Sequence, residues 1–70
     1  MTTKPLAATV AHNLKAYRLK RKLSQDALAT KAGISVSYVS MLEREQRSPP
    51  LDTLESLAKV FGVPAWDLLR

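Results

Sequence analysis

Residues 25–42 read QDALATKAGISVSYVSML and contain two short helical patterns on either side of one glycine, Gly33. Glycine can adopt a positive φ at the end of the first helix because it has no Cβ to clash with the backbone. Ala29, four residues earlier, is small enough to let the second helix approach closely. This spacing predicts two helices that meet at a sharp corner, which is the geometry of a helix-turn-helix.

Two serines stand where these helices need N-caps. Ser24 precedes the first helix and Ser35 precedes the second, and a serine hydroxyl at such a position accepts a hydrogen bond from a backbone N–H of the first turn. We expect the two helices to span residues 25–31 and 36–45. Their inward side chains are then Leu28, Ala29, Ala32, Val39 and Leu42.

A longer amphipathic segment precedes this pair of helices. Residues 6–21 carry Val10, Leu14 and Tyr17 at spacings that place all three on one face of a helix, with a polar opposite face. We therefore expect a first helix over residues 6–21 that packs against the pair through this stripe.

Two further helical segments follow a loop at residues 47–50, where consecutive prolines disfavour a helix. The first of them is expected to end at Gly62, a typical helix terminator. Pro64 is expected at the first position of a last, short helix. The residues expected to complete the core are Leu51, Leu54, Leu57, Ala58, Phe61, Val63, Leu68 and Leu69.

The sequence thus predicts one all-α domain of five helices over residues 1–70. The chain has no cysteine and one histidine, His12, which excludes disulfides and leaves no ligand set for a metal. No apolar run is long enough for a membrane span and the N-terminal residues do not resemble a signal peptide, so we expect a cytoplasmic protein. An enzyme is disfavoured because no nucleophile, base and orienting group can be assembled from these residues.

The charge of the chain points to a polyanionic partner. Eleven lysine and arginine residues oppose six aspartate and glutamate residues, a formal net charge of +5. Net charge alone does not separate a nucleic-acid-binding protein from a soluble domain that is merely basic, because it bears on association and not on fold. The positions of the charged and polar residues must decide between the two.

The outward face of the second helix of the pair carries groups suited to DNA. Hydroxyl and guanidinium groups match base edges and phosphate oxygens, and a helix about 10 Å across fits a major groove about 12 Å wide. Lys20, Arg21 and Lys22 precede Ser24, where the free amides of a helix N-terminus suit a phosphate. At 100° per residue, the direction opposite the inward side falls among Ser37, Ser40, Met41 and Arg44.

The chain resembles the Cro/C1-type (XRE) helix-turn-helix family of phage repressors and bacterial regulators in two runs, LSQDALATKAGISVSYVSMLER and RSPPLDTLESLAKVFGVPAWDLL. The resemblance covers residues 10–69. It implies a five-helix, lambda-repressor-like fold that binds double-stranded DNA sequence-specifically. The function implied is that of a transcriptional regulator, a repressor. Because one module makes few base contacts, we expect a homodimer that reads a near-palindromic operator, with no cofactor or small-molecule ligand.

Residue roles follow from the resemblance together with the residue pattern. Arg18 and Glu43 match a pair that in the family joins the first helix to the third, and we interpret them as a structural ion pair. Base contacts are expected from Gln25, Val36, Ser37 and Met41. Phosphate contacts are expected from Lys22, Ser24, Tyr38, Ser40, Arg44 and Arg47.

The chain departs from the family pattern at three positions. Lys22 and Glu45 stand where family members often have a glycine after a helix, so these ends must close differently or accept a strained residue, and the third helix is expected to run longer. Val36 is apolar where a long polar residue is frequent, which suggests contact with a thymine methyl group.

Two questions stay open at this point. Val63, Pro64 and Trp66 could supply an apolar dimer patch, or Trp66 could instead cover the small core. The competing function is a helical module that uses the same surface to bind a protein, such as a toxin or a polymerase subunit. Salt separates the two functions, because DNA binding releases counterions and weakens as salt rises.

Overall fold

The computed structural model describes residues 5–70. Residues 1–4, which belong to the predicted domain and to the N-terminal segment that does not resemble a signal peptide, lie outside the described residues. Within residues 5–70 the chain forms four α-helices and one short 3₁₀ helix. None of these helices has the length and apolar character needed to cross a membrane. The elements are α1 (Leu6–Lys20), α2 (Gln25–Ala32), α3 (Val36–Glu43), α4 (Leu51–Phe61) and a C-terminal 3₁₀ helix (Ala65–Leu69).

The all-α prediction is confirmed, but the prediction of five α-helices is wrong because the last element is a 3₁₀ helix. Pro64 has a φ of −67° and a ψ of 150°, an extended conformation, so it precedes this helix and does not occupy its first position. The N–H of Asp67 donates to the carbonyl of Pro64 at 3.0 Å, which is the i to i+3 bond of a 3₁₀ turn.

Ser24 and Ser35 cap α2 and α3 as predicted. The Oγ of Ser24 accepts from the N–H of Ala27 at 2.9 Å, and the Oγ of Ser35 accepts from the N–H of Tyr38 at 3.1 Å. Each bond satisfies one of the amide groups that the first turn of a helix leaves unpaired. The starts of both helices are therefore set by local sequence.

All four α-helices end in the same left-handed closure. A residue with positive φ follows the last turn, and the N–H of the next residue donates to a carbonyl five positions earlier in the chain. These four closing bonds are between 2.9 and 3.1 Å long. The residues with positive φ are Lys22 (59°), Gly33 (73°), Glu45 (63°) and Gly62 (72°).

The predicted helix bounds need correction at three of these ends. α3 stops at Glu43 instead of running on to residue 45, because Glu45 turns the backbone into the left-handed region. α1 ends at Lys20, one residue earlier than predicted, and α2 continues to Ala32, one residue further. Lys22 and Glu45 thus accept the strained conformation, which costs an L-residue roughly 1–2 kcal/mol.

The hydrophobic core lies where α1, α2, α3, α4 and the 3₁₀ helix meet. Tyr17 of α1 stacks on Phe61 of α4 with ring centroids 5.4 Å apart. Two predicted core residues are instead exposed, Leu51 by 77% and Leu69 by 37%, and each lies at an end of its element. The largest fully buried side chains are those of Leu14, Leu28, Leu42, Leu57, Leu68 and Val39.

Candidate nucleic-acid interface

The corner between α2 and α3 is made by Gly33. Its φ of 73° lies in the left-handed region, and a Cβ added there would meet no atom within 4 Å, so backbone conformation alone favours glycine. Ala29 is buried just before the corner, and its carbonyl accepts the N–H of Ile34 at 3.0 Å. Because Val39 and Leu42 are buried in the core, the opposite side of α3 is directed outward.

This outward side forms a shallow, open concavity together with the start of α2, which we call the α3 surface. Val36 is 43% exposed, Ser37 and Arg44 are exposed, and Ser40 and Met41 are half-buried. The full set of lining side chains is Gln25, Val36, Ser37, Ser40, Met41, Arg44 and Gln46.

The structure brings all four predicted base-contacting residues together on the α3 surface. Two of the predicted phosphate contacts, Ser40 and Arg44, line it as well. The others do not line it: Tyr38 is half-buried against the core, and Lys22, Ser24 and Arg47 are exposed elsewhere.

Gln46 is a lining residue that the sequence interpretation missed. The left-handed turn at Glu45 folds the chain back, and the N–H of Gln46 donates to the carbonyl of Met41 at 2.9 Å. An extended third helix would not make this return. The position of Gln46 could have been predicted from the family pattern, in which a glycine often stands where this chain has Glu45. Such a glycine marks a left-handed helix end, and Glu45 adopts the same conformation here.

A buried carboxylate joins the helices behind the α3 surface. Arg18 of α1 donates from Nε to Oε2 of Glu43 at 2.7 Å and from Nη2 to Oε1 at 3.1 Å. The side chains of Arg18 and Glu43 are 11% and 4% exposed. Arg18 also donates from Nη1 to the carbonyl of Leu23 at 2.9 Å. The predicted ion pair is thus present in the structure, and the same guanidinium holds the turn between α1 and α2.

Gln25 shares this carboxylate. Its Nε2 donates to Oε1 of Glu43 at 3.1 Å, so Glu43 accepts hydrogen bonds from both α1 and α2. The sequence predicted only a DNA contact for Gln25. Spacing along the chain does not show that the start of α2 meets the end of α3, so the bond to Glu43 was not predicted. The α3 surface and the buried ion pair are therefore one connected structure.

Arg21 points away from the phosphate site that the run of Lys20, Arg21 and Lys22 predicted. Its Nε and Nη2 donate to the carbonyl of Phe61 at 3.2 and 2.6 Å, and its guanidinium carbon lies 5.5 Å from the ring centroid of Tyr17. Lys22 stays exposed beside the N-terminus of α2. Of these three cations, Arg21 is the one that hydrogen-bonds to the C-terminal end of α4.

The predicted dimer patch is only partly exposed. Val63 is half-buried and packs against the core, whereas Pro64 is exposed and Trp66 is 64% exposed. Trp66 therefore does not cover the core, and the dimer patch stays a prediction.

The helix-turn-helix family HTH_3 matches residues 14–65 of the chain. The chain belongs to this family. The resemblance seen in the sequence motifs is thereby confirmed. Within HTH_3, the helices on either side of Gly33 are the two that give the family its description, and the α3 surface is carried by the second of them.

Relatives and solved structures agree with the HTH_3 assignment. The chain is 46% identical over 55 residues to the immunity repressor protein of Bacillus phage phi105. The matched residues cover 79% of this chain and 38% of the phage protein. The crystal structure of the hypothetical transcription factor NHTF from Neisseria matches with a TM-score of 0.91 and 35% identity, over 94% of this chain and 76% of that one. SinR in complex with DNA matches with a TM-score of 0.83 and 34% identity, over 87% of this chain and 98% of that one.

The matched curated proteins are longer than this chain. It spans 38% of the phage immunity repressor and 60% of a hypothetical transcription factor from Neisseria meningitidis serogroup B, to which it is 36% identical over 64 residues. The chain therefore matches only part of each of these relatives.

Proposed function

We propose that this chain is the DNA-binding module of a bacterial or phage transcriptional repressor that acts in the cytoplasm. α3 enters the major groove of double-stranded DNA, and two copies read a near-palindromic operator. The observation that carries the proposal is the α3 surface, an exposed helix face of polar and small apolar groups beside the N-terminus of α2. The match to SinR in complex with DNA supports it.

Base readout is assigned to Val36, Ser37, Met41 and Gln25. Val36 carries exposed methyl groups suited to the methyl group of thymine, and the Ser37 hydroxyl both donates and accepts hydrogen bonds. Met41 and Gln25 line the same concavity from opposite helices and would contact neighbouring base edges.

Phosphate contacts hold the module in register on the duplex. Ser24 uses its oxygen to accept from Ala27, which leaves its O–H free to donate to a phosphate beside the N-terminus of α2. The remaining phosphate contacts are assigned to Lys22, Tyr38, Ser40, Arg44 and Arg47.

Selection of bound duplexes from a random pool tests this proposal. We expect an enriched near-palindromic motif with half-sites about one helical turn apart, and an observed log K that falls with log salt by roughly 0.9 per neutralised phosphate. Ser37→Glu places a carboxylate on the α3 surface and should abolish enrichment. Ser56→Glu, at an exposed position of α4 away from the α3 surface, is the matched control and should preserve it.

A pool without an enriched motif would overturn the proposal. Weak binding to duplex DNA with a flat salt response would favour the competing interpretation, a helical module that binds a protein partner. An enzymatic function is not part of the proposal, because the polar groups among the residues that line the α3 surface are serines, amides and a guanidinium, with no histidine or carboxylate among them to act as a base.

A homodimer is the second part of the proposal, because one module makes few base contacts and a two-fold pair doubles them. We assign its interface to Val63, Pro64 and Trp66. Sedimentation of Trp66→Ser should show monomers where the native chain shows dimers, and Leu19→Ser, which alters another exposed apolar residue, should not. If Leu51→Ser dissociates the dimer and Trp66→Ser does not, the interface is instead the apolar groove that Leu51 lines with Leu6.

A further inference from the structure

We infer that Glu43 is a positioning residue for DNA recognition, and that its buried carboxylate orients the Gln25 amide to present one N–H and its carbonyl oxygen to an adenine edge. This inference rests on the proposed function, because it concerns how a residue of the α3 surface is held for contact with a base. It gives Glu43 a role beyond the ion pair with Arg18.

The carboxylate is itself buried and held by hydrogen bonds from two helices. Its side chain is 4% exposed and accepts two bonds from Arg18, at 2.7 and 3.1 Å, while Arg18 is held by the carbonyl of Leu23 at 2.9 Å. Gln25 donates to the same Oε1 that accepts from Nη2 of Arg18. The amide of Gln25 is thus anchored to an atom that is fixed by another helix.

The chemistry of the pair sets the direction of the amide. A primary amide has two N–H donors and one carbonyl acceptor, whereas an ionised carboxylate only accepts. A flip of the Gln25 amide would place oxygen against oxygen, so only the observed orientation makes the 3.1 Å bond to Glu43. One N–H and the carbonyl oxygen then remain for a ligand.

These two remaining groups match a base better than a phosphate. Adenine presents an acceptor, N7, beside a donor, the N6 amino group, in the major groove, and glutamine pairs with both. Phosphate oxygens only accept, so a phosphate would leave the carbonyl oxygen of Gln25 without a partner. The arrangement therefore makes Gln25 a specificity-determining residue, with Glu43 as the residue that orients it.

The decisive experiment repeats the pool selection with native protein, Gln25→Ala and Glu43→Gln. A glutamine at position 43 has one uncharged acceptor oxygen for the three N–H groups that the carboxylate accepts on two oxygens, so Arg18 and Gln25 compete for that oxygen and Gln25 is held less firmly. We expect one adenine position in each half-site of the native motif, and loss of that preference in both variants. A purely structural Glu43 would weaken binding to all sequences and leave the adenine preference intact, which would overturn the inference.

Affinity for the duplex enriched by the native chain gives a second readout. Gln25→Ala should weaken binding about three- to tenfold, as expected for loss of one or two hydrogen bonds. When Gln25→Ala is already present, Glu43→Gln should lower the affinity by less than about twofold further, because the Gln25 side chain that Glu43 orients is then absent. Equal losses in both backgrounds would contradict orientation of Gln25. Asn13→Ala, which removes a 3.1 Å bond to the carbonyl of Leu68 remote from α3, controls for lowered stability.

A measurement without DNA separates this inference from the proposed function. In the native protein, the side-chain amide protons of Gln25 should exchange with water several-fold more slowly than those of exposed Gln46, and Glu43→Gln or Glu43→Asp should remove the difference. If Gln25 and Gln46 exchange alike in the native protein, Glu43 does not position Gln25, whatever the pool selection yields. If the Gln25 amide exchanges slowly but no DNA motif is enriched, the proposed DNA binding is refuted while the orientation of Gln25 by Glu43 stands. The contact of Gln25 with adenine is then refuted together with the proposed function.

Discussion

Arg21, in the turn after α1, closes the C-terminal end of α4, with its Nη2 2.6 Å and its Nε 3.2 Å from the carbonyl oxygen of Phe61. The last carbonyls of a helix lack partners within it, and a cation at that end also complements the helix dipole. A residue that by sequence belongs to a basic run is thus part of the packing between α1 and α4.

Arg21→Ala should lower the free energy of unfolding by about 1–2 kcal/mol, because the carbonyl of Phe61 loses charged donors. Lys20→Ala, its exposed neighbour, should change it by less than about 0.5 kcal/mol. Urea denaturation followed by circular dichroism measures both. Equal losses would mean that the contact with Phe61 contributes no stability.

Arg18→Ala and Glu43→Ala should each destabilise the protein by about 3 kcal/mol, because either leaves a buried charge without its partner. For a domain of this size that corresponds to a fall in melting temperature of roughly 12–24 °C. Arg44→Ala, which removes an exposed guanidinium, should shift the melting temperature by only a few degrees. Similar shifts in all three variants would contradict a buried pair.

Lys22→Gly and Glu45→Gly should each raise stability by about 0.5–1 kcal/mol. Both residues have a positive φ that glycine adopts without strain, and the greater entropy of glycine in the unfolded chain offsets part of the gain. Thermal unfolding measures the change. Gly33→Ala provides the reverse test and should destabilise by about 1 kcal/mol, since no atom would clash with the added Cβ and only the φ is unfavourable.

The same two glycine variants should have opposite effects on DNA binding, because they remove charges of opposite sign. Lys22→Gly should weaken binding to every duplex and reduce the salt slope by about one, as expected for one lost phosphate contact. Glu45→Gly removes a negative charge beside the α3 surface and should strengthen binding. A stabilised Lys22→Gly with unchanged affinity would remove Lys22 from the phosphate contacts.

Substitutions on the α3 surface and at exposed Arg47 should separate base contacts from phosphate contacts. Ser37→Ala and Met41→Ala should change which duplex is preferred, whereas Arg47→Ala should weaken all duplexes alike and lower the salt slope by about one. Competition between the native motif and single-base variants of it measures the difference. A uniform loss from all three substitutions would contradict the division of roles.

Helix starts and the corner at Gly33 were predictable because the signals for them are local. A serine one residue before a helix and a glycine just after one act through bonds to residues at most five positions away, and Ser24, Ser35, Gly33 and Gly62 all do so. The ends at Lys22 and Glu45 were less predictable. A left-handed lysine or glutamate is unfavourable in isolation and is held there only by the closure around it.

The candidate site also has features that the sequence predicts and features that it does not. The 3.6-residue period of α3 was enough to predict its outward side, because Val39 and Leu42 mark the inward one. The bond from Gln25 to Glu43 and the bonds from Arg21 to Phe61 join residues 18 and 40 positions apart, and no periodicity encodes them. Only the packing of the helices shows which cations stay exposed and which bond to other helices.

The repeated closures have a kinetic consequence. Because each of the four α-helices is terminated by a bond between residues five apart, these reversals of direction need no contact between distant segments. Helical domains dominated by short-range pairing reach their native state within microseconds to milliseconds. The main phase of refolding after rapid dilution from urea should therefore be over within a few milliseconds, so that most newly synthesised copies spend little time with their apolar interior open to aggregation.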